Sequence, residues 1–354
     1  MMTVRQSGMA LLMLAVAMTA SWPCGAAEIQ PQAEGICTIL LTGEIEAGDL
    51  EKLKPALQSG RGTTRINLCL DSPGGSYGEA LKIIEYLLSS GGTVRTIIDA
   101  GAECFSACAL VFMAGGVDTG ARPDRKLHVN GVLGFHAPFI RAAQGAATPE
   151  LIGLGHRAGL RAIRRLLDLN ASRTAWSSNL QGKSFLPDDL VAAFLLKRPD
   201  EFLLVDTVGR AGSWQIDLFG YRKLKTVSPK QLDKVCSNDM EWAIGNGGEN
   251  DLPSKPLKLN NGKARYVIPG FGDEGAWECV VDIYQSPSKG LFLSLVFAST
   301  PLDDGGDEET ADERPDENHL KEVVDSLDDP LAVPGVPLWY AFDGDTPIKK
   351  LTSN

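Results

Sequence analysis

The chain has 354 residues, of which 44% are hydrophobic and 22% charged, and its net charge is −11. This length allows about two domains and a hydrophobic core of ordinary size. The excess of acidic residues opposes binding to nucleic acids or to anionic membrane surfaces, so no nucleic-acid partner is expected.

Residues 1–27 have the features of a secretory signal peptide. Arg5 precedes an apolar run at 9–20, and small residues lead to Ala27. The run is too short for a permanent membrane span, and no stop-transfer pattern follows it. Cys24 follows Trp-Pro rather than small aliphatic residues, so a lipoprotein anchor is the less favoured interpretation. We therefore expect an exported protein, periplasmic or extracellular, cleaved near Ala27.

Six cysteines remain after the predicted cleavage, and an exported protein is expected to pair them in disulfides. Among fifteen possible pairings we favour Cys37 with Cys69, Cys104 with Cys108, and Cys236 with Cys279. For Cys104 and Cys108, pairing elsewhere, buried thiols and a metal site stay open as alternatives. A CxxxC pattern without a second pair nearby is not a zinc pattern, so no metal is expected.

The first half of the chain alternates strand and helix patterns. Short apolar runs at 36–41 and 66–70 predict buried strands, and the spacing of 47–59 between them predicts a crossover helix despite Pro55. A capping box of Ser76 and Glu79 opens an amphipathic helix that ends at Gly91. A strand at 93–100, a helix beginning at Ser106 and a strand at 132–136 follow. This alternation predicts an α/β fold with a parallel sheet and a site at the carboxyl ends of its strands.

A helix predicted at 148–170 has arginines crowded on one side, which indicates a solvated face or a subunit contact.

After Leu218 the sequence no longer alternates strand and helix patterns. Later strand candidates at 264–268, 279–284 and 291–297 lie among Gly, Asn, Asp and Pro clusters, which indicates a small β-rich domain. Residues 302–318 are acidic with almost no apolar side chains and predict a disordered linker. The expected domains are therefore 28–222 and 223–354.

Three local patterns carry the candidate chemistry. Ser106 stands at the start of an almost wholly apolar helix, where the backbone N–H groups and the helix dipole favour a developing negative charge. The DSPGGS turn at 71–76 places Gly74 and Gly75 where a backbone N–H can face a cleft without a blocking Cβ atom. Among the four histidines, His136 ends a short apolar strand and is the best general-base candidate.

In their order and form, the runs INLCLDSPGGSYGEALKIIEYL, GAECFSACALVFMAGG and LGFHAP resemble the proteolytic subunit of the Clp protease family, especially its exported bacterial relatives. The resemblance covers about residues 36–219 and implies a crotonase-like spiral core of βαβ units. It implies Ser106 as the nucleophile, His136 as the general base, and the N–H groups of Gly74 and Ala107 as the oxyanion hole. For the third residue the resemblance favours Asp200, in the sequence PDEF.

The choice of the acid leaves three alternatives. The distance along the chain from His136 to Asp200 is longer than is usual in the family, so Asp188, Asp189 and Asp206 remain candidates. As ordinary structural residues, Asp188 and Asp189 would cap a helix, and Asp206 would form a turn.

The leading hypothesis is a serine peptidase that hydrolyses peptides or unfolded proteins through an acyl-enzyme and needs no cofactor. The resemblance implies a homo-oligomer, but an ATP-driven unfoldase partner is not expected outside the cytoplasm. The first alternative is an exported binding protein that keeps the fold without efficient hydrolysis. A hydratase-like enzyme of the same superfold is less favoured, because that chemistry uses carboxylates and a cytoplasmic cofactor.

Overall fold

The computed structural model describes residues 27–59, 65–90, 93–117, 122–139, 148–172, 184–198, 200–244, 255–260, 263–268, 276–286, 290–300 and 335–352. Most of the predicted signal peptide and the whole of the predicted linker at 302–318 lie outside these ranges. No helix in the described ranges is long and apolar enough to cross a membrane.

Seven α-helices form in the described part of the chain. In order they are α1 (Asp49–Ser59), α2 (Tyr77–Ser89), α3 (Ala107–Met113), α4 (Pro149–Ala171), α5 (Asp188–Leu195), α6 (Val208–Ser213) and α7 (Pro229–Ile244). The predicted helices at 47–59, 76–91 and 148–170 correspond to α1, α2 and α4. The sequence patterns did not predict α5, α6 or α7.

Thirteen strands form in the same ranges. They are β1 (Glu28–Pro31), β2 (Ile39–Thr42), β3 (Ile66–Asp71), β4 (Val94–Ile98), β5 (Glu103–Phe105), β6 (Arg125–His128), β7 (Val132–Phe135), β8 (Leu203–Leu204), β9 (Asp217–Phe219), β10 (Lys255–Asn260), β11 (Lys263–Ile268), β12 (Ala276–Ser286) and β13 (Gly290–Thr300). The predicted late strands correspond to β11, β12 and β13.

The main sheet is six-stranded, in the order β1-β2-β3-β4-β6-β9. β1 is antiparallel to β2, and every other neighbouring pair is parallel. A smaller sheet of β5, β7 and β8 lies beside it, and β10 to β13 form an antiparallel meander. The prediction of an α/β fold with a parallel-rich sheet is therefore confirmed.

Helix α2 shows how the sequence pattern becomes packing. Its Ser76 cap accepts a hydrogen bond from the Glu79 N–H, as a capping box requires. The Glu79 carboxylate, however, accepts a hydrogen bond from the Leu50 N–H at the start of α1 instead of returning to Ser76. The apolar face of α2 is buried in the core, and it consists of Ala80, Leu81, Ile83, Ile84, Leu87 and Leu88.

Arg125 in β6 is hydrogen-bonded to three connecting segments of the chain. Its side chain is fully buried, and its guanidinium donates hydrogen bonds to the carbonyls of Met113, Phe185, Trp214 and Gln215 at 2.7–3.0 Å. Burial lowers the pKa of Arg125 to about 9, so the group keeps its charge at neutral pH. This cation therefore fixes the end of α3 against the segments before α5 and after α6.

The last described segment, residues 335–352, returns to the α/β part of the chain. Gly209 N–H donates to Gly344 O at 2.7 Å, and Ile348 N–H donates to Asp206 O at 2.9 Å. The Trp339 indole donates to the Asp217 carboxylate at the edge of the main sheet. Residues 335–352 thus contact α6, the residue Asp206 before it and the edge strand β9.

Candidate functional site

The DSPGGS turn follows β3 and is fastened to the turn that carries Ser106. Ser72 N–H donates to Glu103 O at 2.7 Å, and Phe105 N–H donates to Ser72 O at 3.0 Å. Gly74 has a φ of 102°, and a Cβ atom there would lie 2.7 Å from both Phe105 O and Ser106 Cβ. Only glycine allows this close approach between the DSPGGS turn and the turn that carries Ser106.

Ser106 occupies the predicted position at the start of α3 but has an unusual backbone. Its φ of 59° and ψ of −121° lie in a region that residues other than glycine rarely adopt. Such a conformation costs about 1–3 kcal/mol and persists where neighbouring contacts hold it. Ser106 N–H donates to Gly134 O at 3.0 Å, and the serine side chain makes no capping hydrogen bond. The hydroxyl is thus not engaged as a helix cap.

His136 follows β7 directly. Because β7 pairs in parallel with β5, the residue after β7 comes to the same end of this sheet as Ser106 after β5. The imidazole is 7% exposed, and its Nδ1 lies 2.8 Å from Ala137 O. In a neutral ring this contact places the proton on Nδ1 and leaves the Nε2 lone pair as the proton acceptor.

Two phenyl rings pack against the His136 imidazole. Phe202 meets the ring in a T-shaped contact with centroids 5.1 Å apart, and Phe139 lies at 5.3 Å. Phe202 also packs on Phe105, beside the serine, at 4.7 Å. One phenyl ring therefore touches both the residue preceding Ser106 and the candidate base.

Ser106 and His136 line one cavity of about 700 Å³. No hydrogen bond joins the two side chains in the described structure. Leu110, Tyr77, Phe139 and Phe202 supply apolar wall, and the Tyr77 hydroxyl donates to Ala162 O of α4. The cavity therefore brings the predicted nucleophile and base to the same space without placing them in direct contact.

The described lining of this cavity contains two acidic side chains. Glu44 and Glu46 line it, and no lysine or arginine does so among the described residues. Burial raises the pKa of Tyr77 well above its ordinary value, so its hydroxyl stays protonated. The described lining thus carries carboxylates and no cationic lysine or arginine side chain.

Two residues that line the cavity, Ala107 and Gly75, have a backbone amide that donates to no acceptor in the described part of the chain. Ala107 is the first residue of α3, where N–H groups have no partner within the helix. The Gly74 N–H, the other predicted donor, donates instead to Ser72 Oγ at 3.1 Å. The Gly75 N–H donates to no acceptor in the described part of the chain, and Gly75 lines the cavity whereas Gly74 does not.

None of the four candidate aspartates contacts His136. The Asp200 side chain is 75% exposed and pairs with Arg198, and Asp206 pairs with Arg210 at the surface. Asp189 accepts a hydrogen bond from the Trp214 indole, and Asp188 stands in the first turn of α5. The structure therefore does not bring Asp200 or its alternatives to the base, and the Ala137 carbonyl takes the place at Nδ1.

Phe202 is not predicted from the sequence, although it lies two residues after Asp200 in the same PDEF run. The run suggests a catalytic acid, whereas the structure brings its phenylalanine to the cavity. Glu44 and Glu46, which follow β2 at the carboxyl edge of the main sheet, are also not predicted. The position of these residues just after a predicted strand was the signal that would have found them.

Disulfides at Cys37–Cys69 and Cys104–Cys108 confirm two of the favoured pairings. Cys236 is also disulfide-bonded, and the side chain of its expected partner, Cys279, lies outside the described part of the chain. The described residues contain no group of three side chains suited to hold a metal ion. The disulfides are consistent with an exported protein.

A scan against protein-family models found no match, and a search of curated proteins found none either. The likeness to the Clp protease proteolytic subunit therefore depends on the three sequence motifs, and the site has to be interpreted from its own geometry.

Proposed function

We propose that the protein is an exported serine hydrolase that cleaves peptides or unfolded polypeptides. The observation that carries the proposal is the strained Ser106 at the start of α3, which lines one cavity with His136. A non-glycine residue held at positive φ is costly, and such strain clusters at functional sites. The three motifs that resemble the Clp protease proteolytic subunit, with its crotonase-like spiral core, support the same assignment.

In the proposed reaction, Ser106 Oγ attacks a substrate carbonyl while His136 Nε2 takes its proton. The oxyanion of the tetrahedral intermediate accepts hydrogen bonds from the N–H groups of Ala107 and Gly75. Gly75 replaces Gly74 in this role because the Gly74 amide is bonded to Ser72. His136 then returns the proton to the leaving amine, and water releases the acyl group by the reverse path.

The Nδ1 contact with Ala137 orients the imidazole, but it supplies no negative charge to stabilise an imidazolium. We therefore expect a dyad that turns over more slowly than a Ser-His-Asp triad. The carboxylate of Glu46 in the cavity lining favours a substrate with a lysine or arginine side chain near the cleaved bond.

A binding protein without hydrolysis is the second candidate. It is favoured by two observations: the described structure has no hydrogen bond between Ser106 and His136, and none of the candidate aspartates contacts the histidine. In that case the same acidic cavity would hold a cationic peptide segment without cleaving it.

An activity-based phosphonate probe distinguishes the two functions. We expect the oxidised protein to be labelled covalently, and a lysine-like probe to react faster than a leucine-like one. Ser106→Ala and His136→Ala are each expected to lose the label, while Ser89→Ala, at an exposed position in the last turn of α2 outside the cavity, is expected to keep it. If neither probe labels the correctly oxidised protein, the hydrolase proposal is wrong and the binding function remains.

A homo-oligomer is part of the proposal. Helix α4 exposes the large apolar side chains of Leu151, Ile152, Leu154, Leu160 and Leu167, each at least 45% accessible. Light scattering of the purified protein tests this, since a monomeric mass at micromolar concentration contradicts it.

A further inference from the structure

The Cys104–Cys108 disulfide encloses the candidate nucleophile. Cys104 lies in β5 and Cys108 in α3, and Ser106 is midway between them. Both cysteines have no exposed surface. The bond therefore joins the strand that enters the serine turn to the helix that leaves it, within the core.

Hydrogen bonds fix the entering side of this turn directly, whereas side chains of Thr96 and Arg125 hold α3 at its far end. Phe105 N–H is bonded to Ser72 O, and Ser106 N–H is bonded to Gly134 O. On the leaving side, α3 has seven residues, and the Leu110 N–H donates to Ser106 O at a long 3.3 Å. The disulfide is a covalent cross-link between the two sides, and it holds the first turn of α3 against β5.

The serine depends on that link because its backbone is strained. A residue at φ 59° relaxes to an ordinary conformation when its surroundings allow it. Rotation about Ser106 would move the hydroxyl and also the Ala107 N–H, the first free amide of α3. Both proposed catalytic groups thus share one backbone restraint.

We infer that the Cys104–Cys108 disulfide is a positioning element of the site, so that Ser106 and the Ala107 amide reach their working geometry only after oxidation of these cysteines. The inference rests on the proposed function for its catalytic meaning, but its structural content is independent of it. According to this inference, the hydrolase is inactive while Cys104 and Cys108 are reduced and becomes active in an oxidising compartment.

The oxidation is a thiol–disulfide exchange with a disulfide-containing oxidant. The thiolate of one cysteine attacks the oxidant and forms a mixed disulfide, releasing one oxidant thiol. The thiolate of the second cysteine then displaces the remaining oxidant thiol and forms the Cys104–Cys108 bond. Two electrons pass to the oxidant, and the two thiol protons end on its two released sulfur atoms.

The test compares Cys104→Ala/Cys108→Ala with Cys37→Ala/Cys69→Ala in the oxidised full-length protein. The control removes a disulfide that joins the segment before β2 to β3, while leaving the serine turn intact. Two quantities are measured for each protein: the second-order rate of phosphonate labelling, and hydrogen exchange of the amides at 106–113. Circular dichroism and thermal unfolding check that each variant is folded.

We expect the first variant to remain folded, to be labelled at least tenfold more slowly than wild type, and to exchange its 106–113 amides at least tenfold faster. The control keeps wild-type values for both. Reduction of the wild type followed by treatment with oxidised glutathione should restore labelling.

Wild-type labelling and exchange in the first variant would overturn the inference, and so would an equal loss in the control. If the double variant does not fold, Cys108→Ser, which replaces one atom, takes its place. Failure of both to fold beside a folded control assigns the bond a purely structural role. If the wild type is not labelled at all, the proposed hydrolase fails while the exchange rates still decide whether the bond positions the turn.

Discussion

The serine side and the histidine side of the cavity are held by different kinds of contact. Around Ser106, main-chain hydrogen bonds, two glycines and a disulfide define the backbone. Around His136, one carbonyl and two partly exposed phenyl rings orient the side chain. Main-chain contacts and a disulfide thus hold the serine side rigidly, whereas the histidine side depends on the packing of aromatic rings near the surface.

This difference indicates where the site can adapt. Backbone bonds and buried cysteines allow few alternative positions for the serine and the Ala107 amide. Phe139 and Phe202 are 45% and 40% exposed, so these rings can shift when a substrate enters. We expect substrate to close the gap between Ser106 and His136 by moving the histidine side.

The largest expected effect comes from Arg125, which supports the end of α3. Arg125→Met leaves four buried carbonyls without their donor, and we expect the free energy of unfolding to fall by about 3–5 kcal/mol. Arg164→Met on the exposed face of α4 is the control, with a change within about 0.5 kcal/mol. Urea denaturation measures both, and equal losses would refute the buried role.

Gly74→Ala tests the rigidity of the serine side directly. Its new Cβ would lie 2.7 Å from Phe105 O and Ser106 Cβ, at a positive φ. We expect a stability loss of about 2–4 kcal/mol and a loss of phosphonate labelling of about a hundredfold. Gly78→Ala, at the start of α2 with open space around it, is expected to keep the label and to gain about 0.5–1 kcal/mol. Unimpaired labelling of Gly74→Ala would show that the serine side is adaptable.

Glu79 accepts hydrogen bonds from backbone amides in the segment that follows Glu44 and Glu46, so its substitution tests how that segment is stabilised. Burial raises the pKa of Glu79, but hydrogen bonds from Lys82 and from the amides of Leu50 and Gly48 outweigh it, so the pKa is lowered overall. The stabilisation by the carboxylate is therefore present above the unfolded-state pKa and is lost as the pH falls through the folded-state value.

We expect Glu79→Gln to lower the free energy of unfolding by about 1–2 kcal/mol at pH 7. The difference from wild type should shrink as the pH falls from 5 towards 3, which urea denaturation at several pH values measures. Glu85→Gln, on the exposed side of α2, is the control. A difference that does not depend on pH would assign the effect of Glu79 to packing rather than charge.

The same contrast explains which parts were predictable. The serine side follows from short runs in which glycines, a helix start and two cysteines are neighbours in sequence, so local chemistry predicts it. The histidine side depends on contacts between β7 and residues near 202, which no local pattern encodes. Arg125 was also missed, because a basic residue in a short strand gives no sign that backbone carbonyls will surround it.

The smallest effects separate Phe202 from Asp200 on the histidine side. Phe202→Ala removes the ring that packs on both His136 and Phe105, and we expect labelling to slow about five- to tenfold with little change in stability. Asp200→Asn changes an exposed carboxylate paired with Arg198, so labelling should stay within about twofold of wild type. A large loss in Asp200→Asn would mean that substrate draws this carboxylate to His136, and the histidine side would then contain a triad formed on binding.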